Sequence, residues 1–312
     1  MKSDLQSCSI DEKIENSLLS CVGNTPLIKI TVSPYIPDTV EIYAKLEYFN
    51  PGGSIKDRPV LRMIKEAIKS GMLTHDKVIL DSTSGNAGIA YSMIGAALGY
   101  DVELVMPGNA SEERKQCIRA FGAHIIITDP IKGYDEAIRK AHELCEENPD
   151  KYFMPDQYAN RYNPRAHYDT TGGEILEQTQ GKITHFICGV GTGGTVMGVG
   201  RRLKDHNPGI EIHVIMPENF PGIEGLKPMG AEYIKPKIYH EEFIEDIRLP
   251  ITSEDAKEMC NILSKEMGIF VGLSSGAFLK GAIELAKKIN RGTIVTIFPD
   301  TGSRYFSTQL WE

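Results

Sequence analysis

The sequence predicts an α/β protein made of two units, each a mostly parallel sheet covered by helices. Three observations predict it. Short β-rich runs alternate with longer runs of helical period; the alternation occurs twice, with a polar break closed by Asn-Pro at residues 158–164; and glycine- and hydroxyl-rich turns follow several of the strands, where open α/β sheets collect ligands. A chain of 312 residues is long enough for one large or two ordinary domains.

In the first stretch the strands are EIYAKLE (41–47), KVILDS (77–82), DVELVMP (101–107) and HIIITD (124–129). Between them RPVLRMIKEAIKSG (58–71), NAGIAYSMIGAALG (86–99) and SEERKQCIRAFG (111–122) carry helical periodicity and end on glycine, as helix C-termini commonly do. The third opens with an N-capping Ser111 but lacks a full capping box. In the second stretch THFICGV (184–190), EIHVIMPEN (211–219) and GTIVTIFPD (292–300) read as strands. RAHYDTTGGEILEQT (165–179), GTVMGVGRRLKDH (194–206), TSEDAKEMCNILSKEMG (252–268) and SGAFLKGAIELAKKIN (275–290) read as helices. No internal repeat, heptad or low-complexity tract interrupts the pattern.

Composition narrows the function classes. With 34 basic and 42 acidic residues the net charge is −8, which argues against general binding to nucleic acid or anionic membranes. The six cysteines, at 8, 21, 117, 145, 188 and 260, form no Cys-x-x-Cys pair and have no histidines beside them at metal-ligand spacing; free thiols in a reducing compartment and no metal are expected. The acidic N-terminal stretch lacks the apolar run of a secretory signal, and no segment approaches the roughly 18 apolar residues of a membrane helix. These features place the protein in the cytoplasm.

Five turns carry candidate chemistry. NPGGSIKDRP (50–59) hands the chain from a strand to a helix whose first turn contains Lys56, where partial shielding and helix-end dipoles turn an ammonium into a usable amine. A lone lysine at a helix start is more often simply solvated. STSGNAG (82–88) lies between a strand and a helix, and its small residues, hydroxyls and N–H groups suit a carboxylate. GVGTGGT (189–195) suits a phosphate, but also satisfies G-x-G-x-x-G, with Glu218 near the end of the following strand as a ribose-binding acid. That segment alone leaves a nicotinamide dinucleotide and a smaller phosphate both open, although a dinucleotide gives no task to Lys56 or to STSGNAG. GLSSGA (272–277) and FPDTGSRY (298–305) are weaker, and helix-cap or turn readings suffice for each.

Taken together, in this order, from GNTPL (23–27) to the C-terminus, these motifs resemble the cysteine synthase family of fold-type II pyridoxal-phosphate enzymes. The resemblance implies a smaller domain at 46–163 and a larger one formed by 1–45 and 164–312, with the active site in the cleft between them. It implies a pyridoxal 5'-phosphate cofactor bound covalently to Lys56, with Asn86 on its ring hydroxyl. Gly191, Thr192, Gly193, Gly194 and Thr195 would hold its phosphate, and Ser274 would face its pyridine nitrogen. Thr83, Ser84, Asn86 and Gln157 would grip the substrate carboxylate. A serine cannot protonate the ring as a carboxylate can, so the cofactor becomes a weaker electron sink and loss of a β-leaving group is favoured. The implied reaction is β-replacement on O-acetylserine or O-phosphoserine through an aminoacrylate, with sulfide giving L-cysteine.

Two departures matter. Where the family has TSGNTG this chain has TSGNAG, so Ala87 brings no hydroxyl. In PGIEGLKPMG (221–230) Lys227 is either a solvated lysine or a partner for a phosphate leaving group. The tail STQLWE resembles those that fold toward the active site, and equally fits a frayed end. An amine nucleophile, giving a diaminopropionate-type precursor, is the alternative reaction, and an NAD(P)-dependent oxidoreductase the distant one. The family also implies a homodimer; a serine acetyltransferase partner cannot be inferred from these residues.

Overall fold

The computed structural model describes residues 9–32, 34–219, 222–227, 233–244, 248–308 and 310–311. The chain divides into two compact units, one made of Met1–Val22 and Lys56–Gln157, the other of Gly23–Ile55 and Tyr158–Glu312.

In chain order the elements begin with α1 (Ile10–Glu15), β1 (Leu27–Ile30), β2 (Val40–Leu46), α2 (Asp57–Lys69), β3 (Val78–Ser82) and α3 (Asn86–Leu98). There follow β4 (Val102–Pro107), α4 (Glu112–Ala120), β5 (His124–Thr128), α5 (Gly133–Glu147) and β6 (Tyr152–Phe153). The chain continues with α6 (Tyr162–Asp169), α7 (Thr171–Gln178), β7 (His185–Gly189), α8 (Gly194–His206) and β8 (Glu211–Pro217). It closes with β9 (Arg248–Ile251), α9 (Ser253–Met267), α10 (Leu273–Ala286) and β10 (Gly292–Phe298).

The first unit holds a four-stranded sheet, β5-β4-β3-β6, in which every pairing is parallel. The strand period of two sends Leu80 and Val105 to one face, where they pack on Ala137 and Ala141 of α5. Leu104 points to the other face, toward α3 and Ile118 of α4. Helix α3 is buried over most of its circumference, from Ala87 to Gly95, so its sequence lacks a polar stripe.

The second unit holds a six-stranded sheet, β1-β2-β10-β7-β8-β9. All pairings are parallel except the antiparallel edge pair β1 and β2. Ile212 faces α8 at Gly200, while Ile187 and Ile215 face α10 at Gly281, so helices cover both faces.

All seven expected strands form, within two residues at either end. Three short ones, β1, β6 and β9, carry too little pattern to announce themselves. Helix α5 is a larger omission. Its small apolar Ala137, Ile138 and Ala141 are set among so many charges that the buried stripe is thin, yet it packs on the sheet. The run expected as one helix at 165–179 is two, broken at Thr170 (φ −119, ψ −78), and the first begins at Tyr162 with Pro164 in its opening turn. Ser111 stands at the N-cap of α4 as expected, but its side chain makes no capping bond.

The unit boundaries differ from the division at 46 and 163. Residues 9–22 join the first unit because α1, closed by a capping box between Ser9 and Glu12, places Asp11 2.6 Å from both Lys65 and Lys69 of α2. Residues 47–55 stay with the second unit because they continue β2 and are tied to the segment after β10. The five described cysteines form no disulfide with one another, and Cys188 and Cys260 are buried. Among the described residues no helix is long and apolar enough to cross a membrane.

Candidate active site

The motif residues fall in both units, and each group has its own construction. In the second unit, residues 50–55 form a turn held from several sides. Asn50, 3 % exposed, donates from Nδ2 to the Glu47 carbonyl (2.8 Å) and carboxylate (2.9 Å), and its Oδ1 accepts Gly23 N–H at 2.8 Å. Thr25 Oγ1 donates to the same Glu47 carboxylate at 2.7 Å, so the GNTPL turn is an anchor for this loop. Gly53 takes φ +75, and a side chain there would press on the Arg304 guanidinium, which donates to the Gly52 carbonyl. Ile55 N–H reaches the Pro299 carbonyl at 2.9 Å, and Ser54 bridges to Asp300. The next residue is Lys56, in the first unit, half-buried at the N-cap of α2 with helical backbone (φ −70, ψ −19).

In the first unit, the turn after β3 enters α3 at Asn86. Thr83 Oγ1 accepts N–H groups from Gly85 (2.9 Å) and Gly88 (3.0 Å). Both lone pairs of that hydroxyl are occupied, which leaves its proton to be donated to an anion. Gly85 has φ +154, and a Cβ there would run into the Arg114 side chain. Ser84 and Asn86 are partly exposed, and Ala87 is buried. Gln157 is buried and donates from Nε2 to the Ser82 carbonyl at 2.9 Å, so the structure brings it beside this turn. Beneath both lies Asp81. Its Oδ1 accepts Ser82 N–H at 2.8 Å, and its Oδ2 accepts Tyr91 O–H at 2.5 Å and Gln157 N–H at 3.4 Å. Burial pushes the Asp81 carboxyl up to about 7, against the Tyr91 bond that lowers it and with Asp156 adding to the rise.

The second unit also holds the turn after β7. Residues 190–193 lead into α8, a 13-residue helix whose first N–H, that of Gly194, donates to Thr192 Oγ1 at 3.4 Å, so N-terminal amides and the positive end of its dipole meet there. Asn163 of α6 donates to Thr192 Oγ1 at 3.0 Å, and a side chain at Gly194 would collide with the Asn163 amide. His167, one turn along, has Nε2 3.4 Å from Thr195 Oγ1 and Nδ1 3.0 Å from Thr171 Oγ1. The arrangement fits a phosphate: amides at a helix N-terminus, hydroxyls at 192 and 195, and glycines where a side chain would intrude. Glu218 is committed elsewhere, accepting Ser253 N–H at 2.6 Å at the start of α9, which removes the ribose-binding acid from the dinucleotide reading.

Ser274 is the second residue of α10 and is buried. The preceding Gly272 donates its N–H to the Asp300 carbonyl at 3.1 Å, and Tyr305 O–H donates to Asp300 Oδ2 at 2.9 Å. FPDTGSRY thus ties the start of α10 to the turn that precedes Lys56. Lys227 is not a solvated lysine: it is 7 % exposed, its N–H bonds the Val190 carbonyl at 2.8 Å, and its ammonium lies 5.2 Å from the Tyr158 ring centroid. The remainder of its loop, at 221 and 228–230, lies outside the described residues. Trp311 is packed rather than frayed, its ring tilted 36° against Phe270 with centroids 4.5 Å apart and its Nε1–H donating to the Gly302 carbonyl at 3.0 Å.

Sequence reasoning missed Asp81, Asn163, His167, Asp300 and Arg304 as supports. The one local signal was Gly194 and Gly198 at i, i+4 spacing on α8, small enough to let α6 approach with Asn163 and His167.

The family model described as pyridoxal-phosphate dependent enzyme matches residues 18–300. A cysteine synthase of Aquifex aeolicus (strain VF5) is 51% identical over 307 residues, covering 96% of this chain and 93% of its own. Cysteine synthase B of Salmonella typhimurium is 41% identical over 297 residues, covering 95% and 96%. The solved structure of cysteine synthase from Entamoeba histolytica superposes with a TM-score of 0.87 at 39% identity, covering 95% of this chain and 90% of that one. The chain belongs to the pyridoxal-phosphate-dependent enzymes, in the cysteine synthase family.

Proposed function

We propose, from that membership, that this enzyme catalyses β-replacement on an activated serine, O-acetylserine or O-phosphoserine, with sulfide as nucleophile and L-cysteine as product. The observation that carries the reading is the turn at 50–55, held by Asn50, Glu47, Arg304 and the carbonyl of Pro299, which delivers one lysine at a fixed point of the backbone.

Pyridoxal phosphate, when bound, supplies an electron sink conjugated to the substrate α-carbon. Lys56 Nζ would be its attachment point, and as a free amine would take the proton from the substrate α-carbon. Residues 191–195 would hold the phosphate, Asn86 the ring hydroxyl, and Ser274 the pyridine nitrogen through a neutral hydroxyl. Thr83 donates its remaining proton to the substrate carboxylate, assisted by Ser84, Asn86, Gln157 and the N-terminal dipole of α3. Ala87 adds no donor, so the grip rests on its neighbours. Lys227, beside Val190, is assigned to a phosphate leaving group, which favours O-phosphoserine. A homodimer is part of the same proposal.

Borohydride reduction of the purified protein followed by peptide mapping is expected to place the reduced cofactor on Lys56, and either activated serine plus sulfide is expected to yield cysteine. A protein that stays colourless with added pyridoxal phosphate, or reduction at a different lysine, overturns the assignment. Turnover of both substrates by wild type and Lys227→Ala tests the leaving group; an unchanged preference removes Lys227 from the proposal.

A further inference from the structure

At the opposite ends of the second unit's strands from residues 191–195 lies a cluster that the β-replacement reaction does not use. His185 opens β7 and Glu211 opens β8 directly across from it in register, while His213 is two residues further along β8. The strand period of two therefore puts all three side chains on one face, the face that Ile187 and Ile215 present to α10. Both histidines are buried, and Glu211 reaches solvent. Glu211 Oε2 lies 3.1 Å from His213 Nε2 and 3.8 Å from His185 Nε2, and one donor atom from each residue falls within 4.8 Å of the others. Ligands at about 2.0–2.1 Å around a tetrahedral zinc sit roughly 3.4 Å apart, so closure needs shifts of about an ångström.

The ring of His185 is already oriented for such a role. Thr184 Oγ1 accepts Thr293 N–H at 2.9 Å and donates its single proton to the Thr293 carbonyl at 3.1 Å. It lies 2.7 Å from His185 Nδ1, so the hydroxyl holds that nitrogen and leaves Nε2 on the side of Glu211. A hydroxyl or carbonyl on the far nitrogen is how metal-binding histidines are usually held.

We propose that His185, Glu211 and His213 form a binding site for a divalent transition-metal ion, zinc by its two-nitrogen, one-carboxylate donor set, with water completing the coordination on the exposed side. The ion clips β7 to β8 at their N-terminal ends. At about 3.3 Å per residue, His185 is roughly 20 Å along the chain from Gly191, so the clip stabilises the unit without entering the reaction.

The test uses the cofactor-loaded enzyme, stripped by chelator and titrated with ZnCl2 by calorimetry and with Co2+ by visible absorption. One ion per chain is expected, with a rise of about 5 °C in the unfolding midpoint at a hundredfold excess over Kd. Glu211→Gln and His185→Gln are expected to weaken binding by at least the roughly 10–100-fold that loss of even an outer-shell partner costs, while metal-free turnover is kept. Absence of saturable binding by wild type at micromolar zinc, or binding by both variants equal to wild type, overturns the proposal. The second outcome assigns the ion to exposed thiols or other surface groups instead.

Discussion

The turns at 82–88 and 189–195 are the same device in different units: a parallel strand ends, a few small residues follow, and a helix begins. Their supports differ. The first rests on a buried carboxylate, Asp81, which ties Ser82, Tyr91 and Gln157 together. The second rests on an amide and an imidazole projected from α6 onto Thr192, Gly194 and Thr195. One turn is therefore coupled to a titrating group at its base, and the other is fixed by packing between two helices. The same local motif tolerates either foundation because the support only has to hold the backbone of the turn still.

The largest effect is expected where both turns are left intact and the amine alone is removed. Lys56→Ala should lower kcat by about 10²–10⁴-fold and abolish covalent cofactor after borohydride, while leaving thermal stability unchanged. A loss of stability equal to that of a core deletion would mean that Lys56 supports its turn rather than the chemistry.

Asp81 distinguishes the two foundations. Its folded pKa is raised, so between about pH 4 and 7 the folded state holds a proton that the unfolded state has released. Stability then falls as pH rises through that window, with a slope approaching 1.4 kcal/mol per pH unit from this group, and levels off above about pH 7. Asp81→Asn should remove that slope at a pH-independent cost of about 1 kcal/mol for a Ser82 N–H left facing an amide. Thermal unfolding from pH 4 to 8 reads both, and an unaltered slope would break the comparison.

On the other side, Gly194→Ala pushes a methyl into the Asn163 amide, and overpacking of about 1–3 kcal/mol should weaken pyridoxal phosphate binding roughly tenfold. Asn163→Ala, which deletes the bond to Thr192 Oγ1, should cost about 1 kcal/mol, near fivefold in cofactor affinity by absorbance titration. If Asn163→Ala proved the more damaging of the two, the hydrogen bond rather than close packing would be the main support.

Much of the fold was legible because most of the expected strands are buried on both faces and read as apolar runs, and because glycine marks where their helices stop. The left-handed Gly99 and Gly268 sit where the helical runs were expected to end. Helix α5 was not legible, since alanines supply most of its buried face. Nor was the role of FPDTGSRY, whose Pro299, Asp300 and Arg304 act on residues far away in sequence.

What the sequence determined by itself was local: which residues alternate with the period of a strand or a helix, where small residues expose the backbone, and which side chains bring an amine or a hydroxyl to those turns. Period and composition act over a few residues, so they survive without coordinates. The tertiary structure alone decided that Asn50 meets Glu47 and Gly23, that Asp81 underlies Gln157, and that His185, Glu211 and His213 share one face. Those contacts depend on strand register and helix packing, which are set by the fit of many distant side chains at once and leave no spacing in the chain to read.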